Sequence, residues 1–256
     1  MESQKTESLF TPLEGKSFRF SCHRGISCFT KCCGALNLML TPYDILRIKN
    51  RLGISSDDFL DKYTDTVFQE NARFPMVKLR MNQDSLKKCP FVSPEGCSIY
   101  DDRPGSCRLY PLGRASLNPG RGKGRPAQYF LVTEEHCLGF RENRLWKLED
   151  WMAGEGMSEY NLFNDRWIEV VTFQKSLGPA KMIPGKLQMF FMASYNLDRF
   201  RKFIQESPFL KRFEVEVEIR EKLACDDIAL LDFSIEWLKL SLFGEPSDRI
   251  RPRLPG

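Results

Sequence analysis

Cysteine carries whatever chemistry this chain performs. The chain has nine cysteines, and eight of them, Cys22, Cys28, Cys32, Cys33, Cys89, Cys97, Cys107 and Cys137, fall in its first 137 residues. The first four sit within twelve residues as Cys22-x5-Cys28-x3-Cys32-Cys33, followed by Gly34. The others stand in Cys89-Pro90-Phe91-Val92, Gly96-Cys97-Ser98-Ile99-Tyr100, Arg103-Pro104-Gly105-Ser106-Cys107-Arg108 and His136-Cys137. A deprotonated thiol is a soft ligand for zinc, copper(I) or an iron–sulfur cluster, and four of them satisfy a tetrahedral metal. Eight suggest two four-ligand sites, or one polynuclear cluster with a second site. Adjacent side chains leave the backbone in different directions, so Cys32 and Cys33 are not expected to share one simple tetrahedral site. Both histidines, His23 and His136, adjoin a cysteine and are further candidate ligands.

Several familiar spacings are absent. The ferredoxin run C-x2-C-x2-C-x3-C does not occur. A radical-SAM run starting at Cys28 and Cys32 would need its third cysteine where Ala35 stands, and no C-x2-C pair of a zinc finger is present. An odd number of cysteines in a long chain, with no apolar leader in the first twenty residues, argues for reduced thiols and a cytoplasmic protein rather than a disulfide scaffold. Cys225, far from the others, reads as a buried small hydrophobe beside an amphipathic helix.

The strings Cys28-x3-Cys32-Cys33-Gly34, Thr41-Pro42-Tyr43-Asp44-Ile45, Cys89-Pro90-Phe91, Cys97-Ser98-Ile99-Tyr100, Arg103-Pro104 and Cys107-Arg108-Leu109-Tyr110-Pro111 together resemble the YkgJ-type cysteine-cluster family, over about residues 20 to 140. That resemblance implies a zinc- or iron-chelating domain. The chain departs from the more usual compact C-x2-C-x2-C-C order, because the gaps at Cys22 and Cys28 are wider. The cluster is also similar to that of the flagellin lysine methylases, which implies an iron–sulfur centre, a 4Fe–4S cluster among the candidates, and a protein substrate. No glycine-rich strand-to-helix turn announces a methyl-donor site.

Other elements must position these thiols. Thr41 as N-cap, Pro42 at the first helical position and Asp44 in the first turn begin a helix with Ile45, Leu46 and Ile48 on its inner face and Gly53 as its stop. Ser55 or Ser56 caps a second helix through Phe59, Leu60 and Tyr63. The pair is no DNA-reading motif, since Asp57, Asp58, Asp61 and Asp65 would repel phosphate. Alternation at Val77, Leu79 and Met81 predicts a strand, and Tyr129 to Thr133 another. The stretch 119–126, rich in glycine, proline and base, predicts a loop.

Beyond residue 143, apolar spacing near three and four predicts helices over Trp167 to Leu177, Lys186 to Gln205 and Asp226 to Phe243. Phe190, Phe191, Tyr195, Leu197, Phe200 and Phe203 are expected to be their core. Arg103 and Arg108, beside Cys107, are placed to orient a thiolate or hold a carboxylate. Tyr100 and Tyr110 bring hydroxyls near the thiols, with no base in sequence to activate them.

The fold class expected is α+β. A flexible N-terminus spans 1–19, a cysteine-cluster metal-binding domain 20–142, a helical region 143–245 and a disordered tail 246–256. Without metal, the cysteine domain is expected to be partly unfolded. The 38 basic and 34 acidic residues are interspersed and give a net charge of +4, which does not argue for nucleic acid. The longest apolar runs, Met189 to Ala193 and Ile228 to Leu231, are too short for a bilayer, so no membrane partner is expected. Two functions remain: a structural, binding or carrier metal centre whose helical half meets a protein partner, or an iron–sulfur redox or methyl-transfer enzyme acting on a protein.

Overall fold

The computed structural model describes residues 9–70, 72–116 and 127–253. In chain order the elements are strands β1 (Phe10–Pro12), β2 (Ser17–Arg19) and β3 (Met39–Leu40), helices α1 (Pro42–Leu52) and α2 (Ser56–Tyr63), then strands β4 (Thr64–Val67), β5 (Met76–Leu79), β6 (Val92–Ser93) and β7 (Gly96–Cys97). Helix α3 (Gly105–Leu109) and strands β8 (Leu112–Ala115), β9 (Gln128–Val132) and β10 (Leu145–Lys147) follow. Next come helices α4 (Leu148–Gly154), α5 (Met157–Val171), α6 (Ile183–Tyr195), α7 (Leu197–Glu206) and α8 (Phe209–Arg212). Strand β11 (Phe213–Glu214), helices α9 (Val217–Cys225) and α10 (Asp227–Phe243) and strand β12 (Arg251–Pro252) complete the order. The class is α+β, with a helical C-terminal region. The predicted basic loop 119–126 lies outside the described residues, as do residues 1–8 of the expected flexible N-terminus.

The chain divides into two compact units that interleave. One is Met1–Leu38 with Leu79–Asp165, the other Met39–Lys78 with Arg166–Gly256. This differs from the consecutive division expected at 142/143. The segment 39–78 lies between cysteine groups in sequence yet belongs with the C-terminal helices. The reason is a set of polar and ionic ties: the buried Lys49 ammonium reaches Asp227 at 3.0 Å and Asp198 at 3.4 Å, Asp198 accepts from the Ser56 backbone at 2.7 Å, and Asn196 donates to Asp57 at 2.6 Å.

In this second unit α1 starts as expected. Asp44 N–H donates to the Thr41 hydroxyl while Asp44 accepts from Thr41 N–H at 2.8 Å, a complete capping box, and Gly53 closes the helix in the left-handed region at φ 64. Ile45, Leu46 and Ile48 are all buried. Of the two candidate serines, Ser55 caps α2, accepting from Asp58 N–H at 3.1 Å. The long helix predicted over Lys186 to Gln205 is two helices, because Asn196 leaves helical geometry and caps α7 through Arg199 N–H. Helix α5 likewise ends at Val171, short of the Leu177 expected. The core is aromatic: Phe74 stacks on Phe190 at 4.2 Å, Trp167 and Tyr195 meet at 6.0 Å, and Phe200 is fully buried.

The expected tail is also partly ordered. Arg251–Pro252 pairs antiparallel with Phe213–Glu214, Ile250 is buried, and Arg249 bonds Asp232 and Glu236 at 2.6 and 2.8 Å. Three prolines suggested disorder; a buried isoleucine and an ion pair outweigh them.

The first unit contains short strands and turns. Strands β1, β9 and β8 form an antiparallel sheet in that order, β2 pairs with β10, and β6 with β7 is a hairpin that sets Cys97 opposite Val92. Its core is a group of rings. Trp151 meets Phe18 at 5.6 Å, Phe20 at 5.9 Å and Trp146 at 5.1 Å, each edge-on. The two indole N–H groups donate to Leu109 and Phe20 carbonyls at 3.0 Å. These rings fix the backbone on either side of the thiols.

Candidate metal centre

All eight clustered cysteines fall in the first unit, and all nine in the chain are free thiols. The loop that carries the first four is a series of tight turns: Lys31 N–H bonds Cys28 at 2.9 Å, Cys33 N–H bonds Thr30 at 3.0 Å, and residues 31–33 form a single 3-10 turn. These turns coil up the widened Cys22-to-Cys33 spacing. They hold Thr30, a β-branched residue, at φ 66, a conformation that is costly for its side chain and persists only where the surroundings impose it.

Backbone bonds then bring distant cysteines together. Ser21 N–H donates to the Gly139 carbonyl at 3.1 Å, which lays the Cys22 strand beside the Cys137 turn. Only glycine permits that approach, since a Cβ at 139 would lie 2.5 Å from the Phe20 ring and 2.9 Å from the Ser21 carbonyl. Leu138 N–H donates to the Cys28 sulfur at 3.2 Å, an N–H···S bond of the kind that stabilises a thiolate. Cys89 N–H bonds the Cys33 carbonyl at 2.8 Å, and Gly34 bridges Lys88. The second cysteine group is thereby clamped to the first.

The thiols sense one another accordingly. Burial first, then Cys32, Cys28 and Cys137, push the Cys22 thiol up to about 11, with Arg103 opposing. Cys32 is held protonated by its contact with the Cys33 sulfur, 4.0 Å away, and by burial. Burial raises Cys89 to about 11, with Cys97 adding to it, and burial also raises Cys97. Two groups emerge, Cys22, Cys28, Cys32 and Cys137 in one and Cys89 and Cys97 in the other, with Cys33 between them: its sulfur touches Cys32 and its carbonyl accepts from Cys89 N–H. Cys107, on α3, is not placed with either by these contacts.

The donor chemistry fits a thiophilic metal. Several reduced thiols from separate segments crowd one another, and a metal would take the place of their protons. Among the described residues, however, no three His, Cys, Asp or Glu side chains are arranged as a ready coordination set. The fold gathers the sulfurs without aiming them at one point.

Each histidine faces a carboxylate. His23 Nδ1 accepts from Gly25 N–H at 3.1 Å and its Nε2 faces Glu142 at 3.5 Å, while His136 Nε2 faces Glu134 at 3.5 Å. Arg103 meets the expectation of holding a carboxylate: it is buried, pairs with Glu155, donates to the Tyr100 carbonyl and stacks on the Tyr100 ring at 3.8 Å. It also exerts a favourable field on both Cys22 and Cys97, which links the two groups. Arg108 instead spends its donors on the carbonyls of Glu155 and Asp101. Glu134 and Glu155 were not singled out from sequence, because neither stands at a telling distance from a cysteine.

Cys225 corrects the reading that it is buried. It is exposed at the end of α9, a helix whose buried residue is Leu223. A cavity of about 400 Å³ in the second unit, lined by Gln69, Arg73, Phe74, Met76 and Phe173 among others, includes no cysteine.

These features describe a region that gathers reduced thiols from separate stretches of chain. Residues 21–138 match the model of the CxxCxxCC family, described as "Putative zinc- or iron-chelating domain". The match takes in all eight clustered cysteines, spans just under half of the chain and leaves out the helices beyond it. No curated protein and no solved structure matches the chain. The expected likeness to flagellin lysine methylases finds no support in these comparisons. Among the described residues, no helix is long and apolar enough to cross a membrane.

Proposed function

We propose that this protein binds metal through two thiolate centres in its first unit, one built on Cys22, Cys28, Cys32 and Cys137 and the other on Cys33, Cys89, Cys97 and Cys107. The observation that carries this reading is the approach to Cys22 of Cys28 and Cys32 from its own loop and of Cys137 from a distant stretch of chain, all free thiols that push the Cys22 thiol up. As neutral thiols they pack as small hydrophobes, and a thiophilic cation that takes the place of their protons would hold the same sulfurs together as charged ligands. Ligation requires the cysteine side chains to turn toward a common point, with Arg103 and the Leu138 N–H offsetting the negative charge that four thiolates accumulate.

On this reading the metal serves as a structural, binding or carrier centre, and the helical second unit meets a protein partner. A reducing compartment such as the cytoplasm keeps the thiols available. Metal analysis with an optical spectrum, on protein purified without oxygen, tests the assignment. One or two zinc per chain without colour supports it. Iron with acid-labile sulfide and absorbance near ~400 nm moves the centre to an iron–sulfur cluster and the function toward an enzyme on a protein substrate. Stoichiometric amounts of neither metal would sink it.

A further inference from the structure

Tyr110 is the buried polar group that the proposed centre leaves unused. Its hydroxyl is shut off from solvent and makes no hydrogen bond. The Cys137 sulfur lies close enough to help hold the phenol neutral, after burial itself, yet outside hydrogen-bond geometry; Glu134 and Cys32 are also near.

The ring has little freedom to turn elsewhere. It packs edge-on against the buried Phe20 at 5.9 Å. Its backbone is held on both sides, since Tyr110 N–H bonds Ser106 at 3.2 Å and the Pro111 carbonyl accepts from Val132 N–H at 2.8 Å. Phenylalanine would pack as well without the cost of a stranded hydroxyl, so the oxygen calls for a partner that the thiol form lacks. A thiol sulfur is a weak acceptor; a metal-bound thiolate is a strong, charged one.

Resting on the metal-binding reading above, we propose that the Tyr110 hydroxyl donates a hydrogen bond to the Cys137 sulfur when that sulfur is a metal-bound thiolate. Tyr110 is then a positioning residue, which fixes one ligand and draws off part of its charge, and not itself a ligand. The Leu138 N–H does the same for Cys28. Two sulfurs of the proposed centre thus receive one donor each, from two separate stretches of chain, the end of α3 and the turn that begins at Leu138.

The test compares the full chain with its Tyr110→Phe variant, using Co(II) as probe. Affinity is measured by competition with a chromophoric chelator, the thiolate-to-cobalt charge-transfer band by absorption, and the stability of the metal-free protein by denaturant. Expected are a metal-free variant at least as stable as the parent, a Co(II) affinity lower by roughly 10- to 100-fold, and a displaced charge-transfer band. Tyr100→Phe, at a ring that is 58% exposed, leaves all three unchanged. Equal affinity with an unmoved band overturns the role of Tyr110 and spares the metal reading. So does a variant that loses stability without metal but binds Co(II) as before, since that marks simple packing. Failure of the parent to bind Co(II) overturns both.

Discussion

The two units are built on opposite terms. The second buries Ile48, Phe190, Phe200 and Phe233 completely, caps α1, α2, α7 and α10 with side chains, and settles Lys49 between Asp198 and Asp227. The first has short strands, a strained Thr30, close backbone passes at Gly34 and Gly139, and a set of sulfurs whose protons are held by one another. Burial and ion pairing complete the one within its own residues, while the other gathers reduced thiols whose contacts are mainly with backbone and with one another. The comparison teaches that a binding region can be supported by backbone contacts and a ring cluster while its ligands wait.

The largest effect that separates the units is metal removal. Chelating the loaded protein is expected to lower the melting temperature of the first unit by on the order of 10 °C, read from Trp146 and Trp151 fluorescence, while far-ultraviolet helicity, dominated by the second unit, persists. Simultaneous collapse of both signals would end the contrast. Next, Lys49→Met removes the buried cation that Asp198 and Asp227 share, leaving them to Arg201 and Ser56, and should cost roughly 3 kcal/mol in denaturant unfolding, with metal content unchanged. Gly139→Ala comes third, at about 2 kcal/mol from forcing a methyl into Phe20 and Ser21; it should also weaken metal binding, since it parts Cys22 from Cys137.

The smallest effect is that of acid. Burial disfavours ionising Asp198 and Asp227, but the Ser56 backbone and Lys49 for the former, and Arg201 and Lys49 for the latter, outweigh it and hold both below the ordinary 3.8. Depressed carboxylate values stabilise the folded state above the unfolded value and lose that contribution as pH falls through the folded one. The second unit should therefore hold its helicity down to about pH 4 and weaken below it. A loss already complete at pH 5 would show that other groups govern it.

Much of this was legible in residues. Thr41, Pro42, Asp44 and Gly53 announced α1, because capping chemistry is local, and the alternation around Val77 announced β5. The eight cysteines named the candidate site by density alone. What sequence concealed is which sulfur meets which, since that depends on contacts such as Ser21 to Gly139 and Cys33 to Cys89, which span many residues. It concealed the allegiance of 39–78 for the same reason: Lys49 looks like any surface lysine until Asp198 and Asp227 close on it. The sequence also did not show that His23 and His136 each face a carboxylate, Glu142 and Glu134.

The interleaving of the two units has a consequence for how the chain is made. A nascent polypeptide released as far as residue 165 already carries every clustered thiol and the rings of the first unit, yet its hairpin of α1 and α2 must wait for helices still to be synthesised. Closing so long an excursion adds only slowly to the entropic cost, so the sulfurs can assemble first. A shortened chain ending there would keep its ligands and expose the apolar face of Ile45, Leu46 and Ile48 to water, becoming competent for metal and prone to aggregation at once.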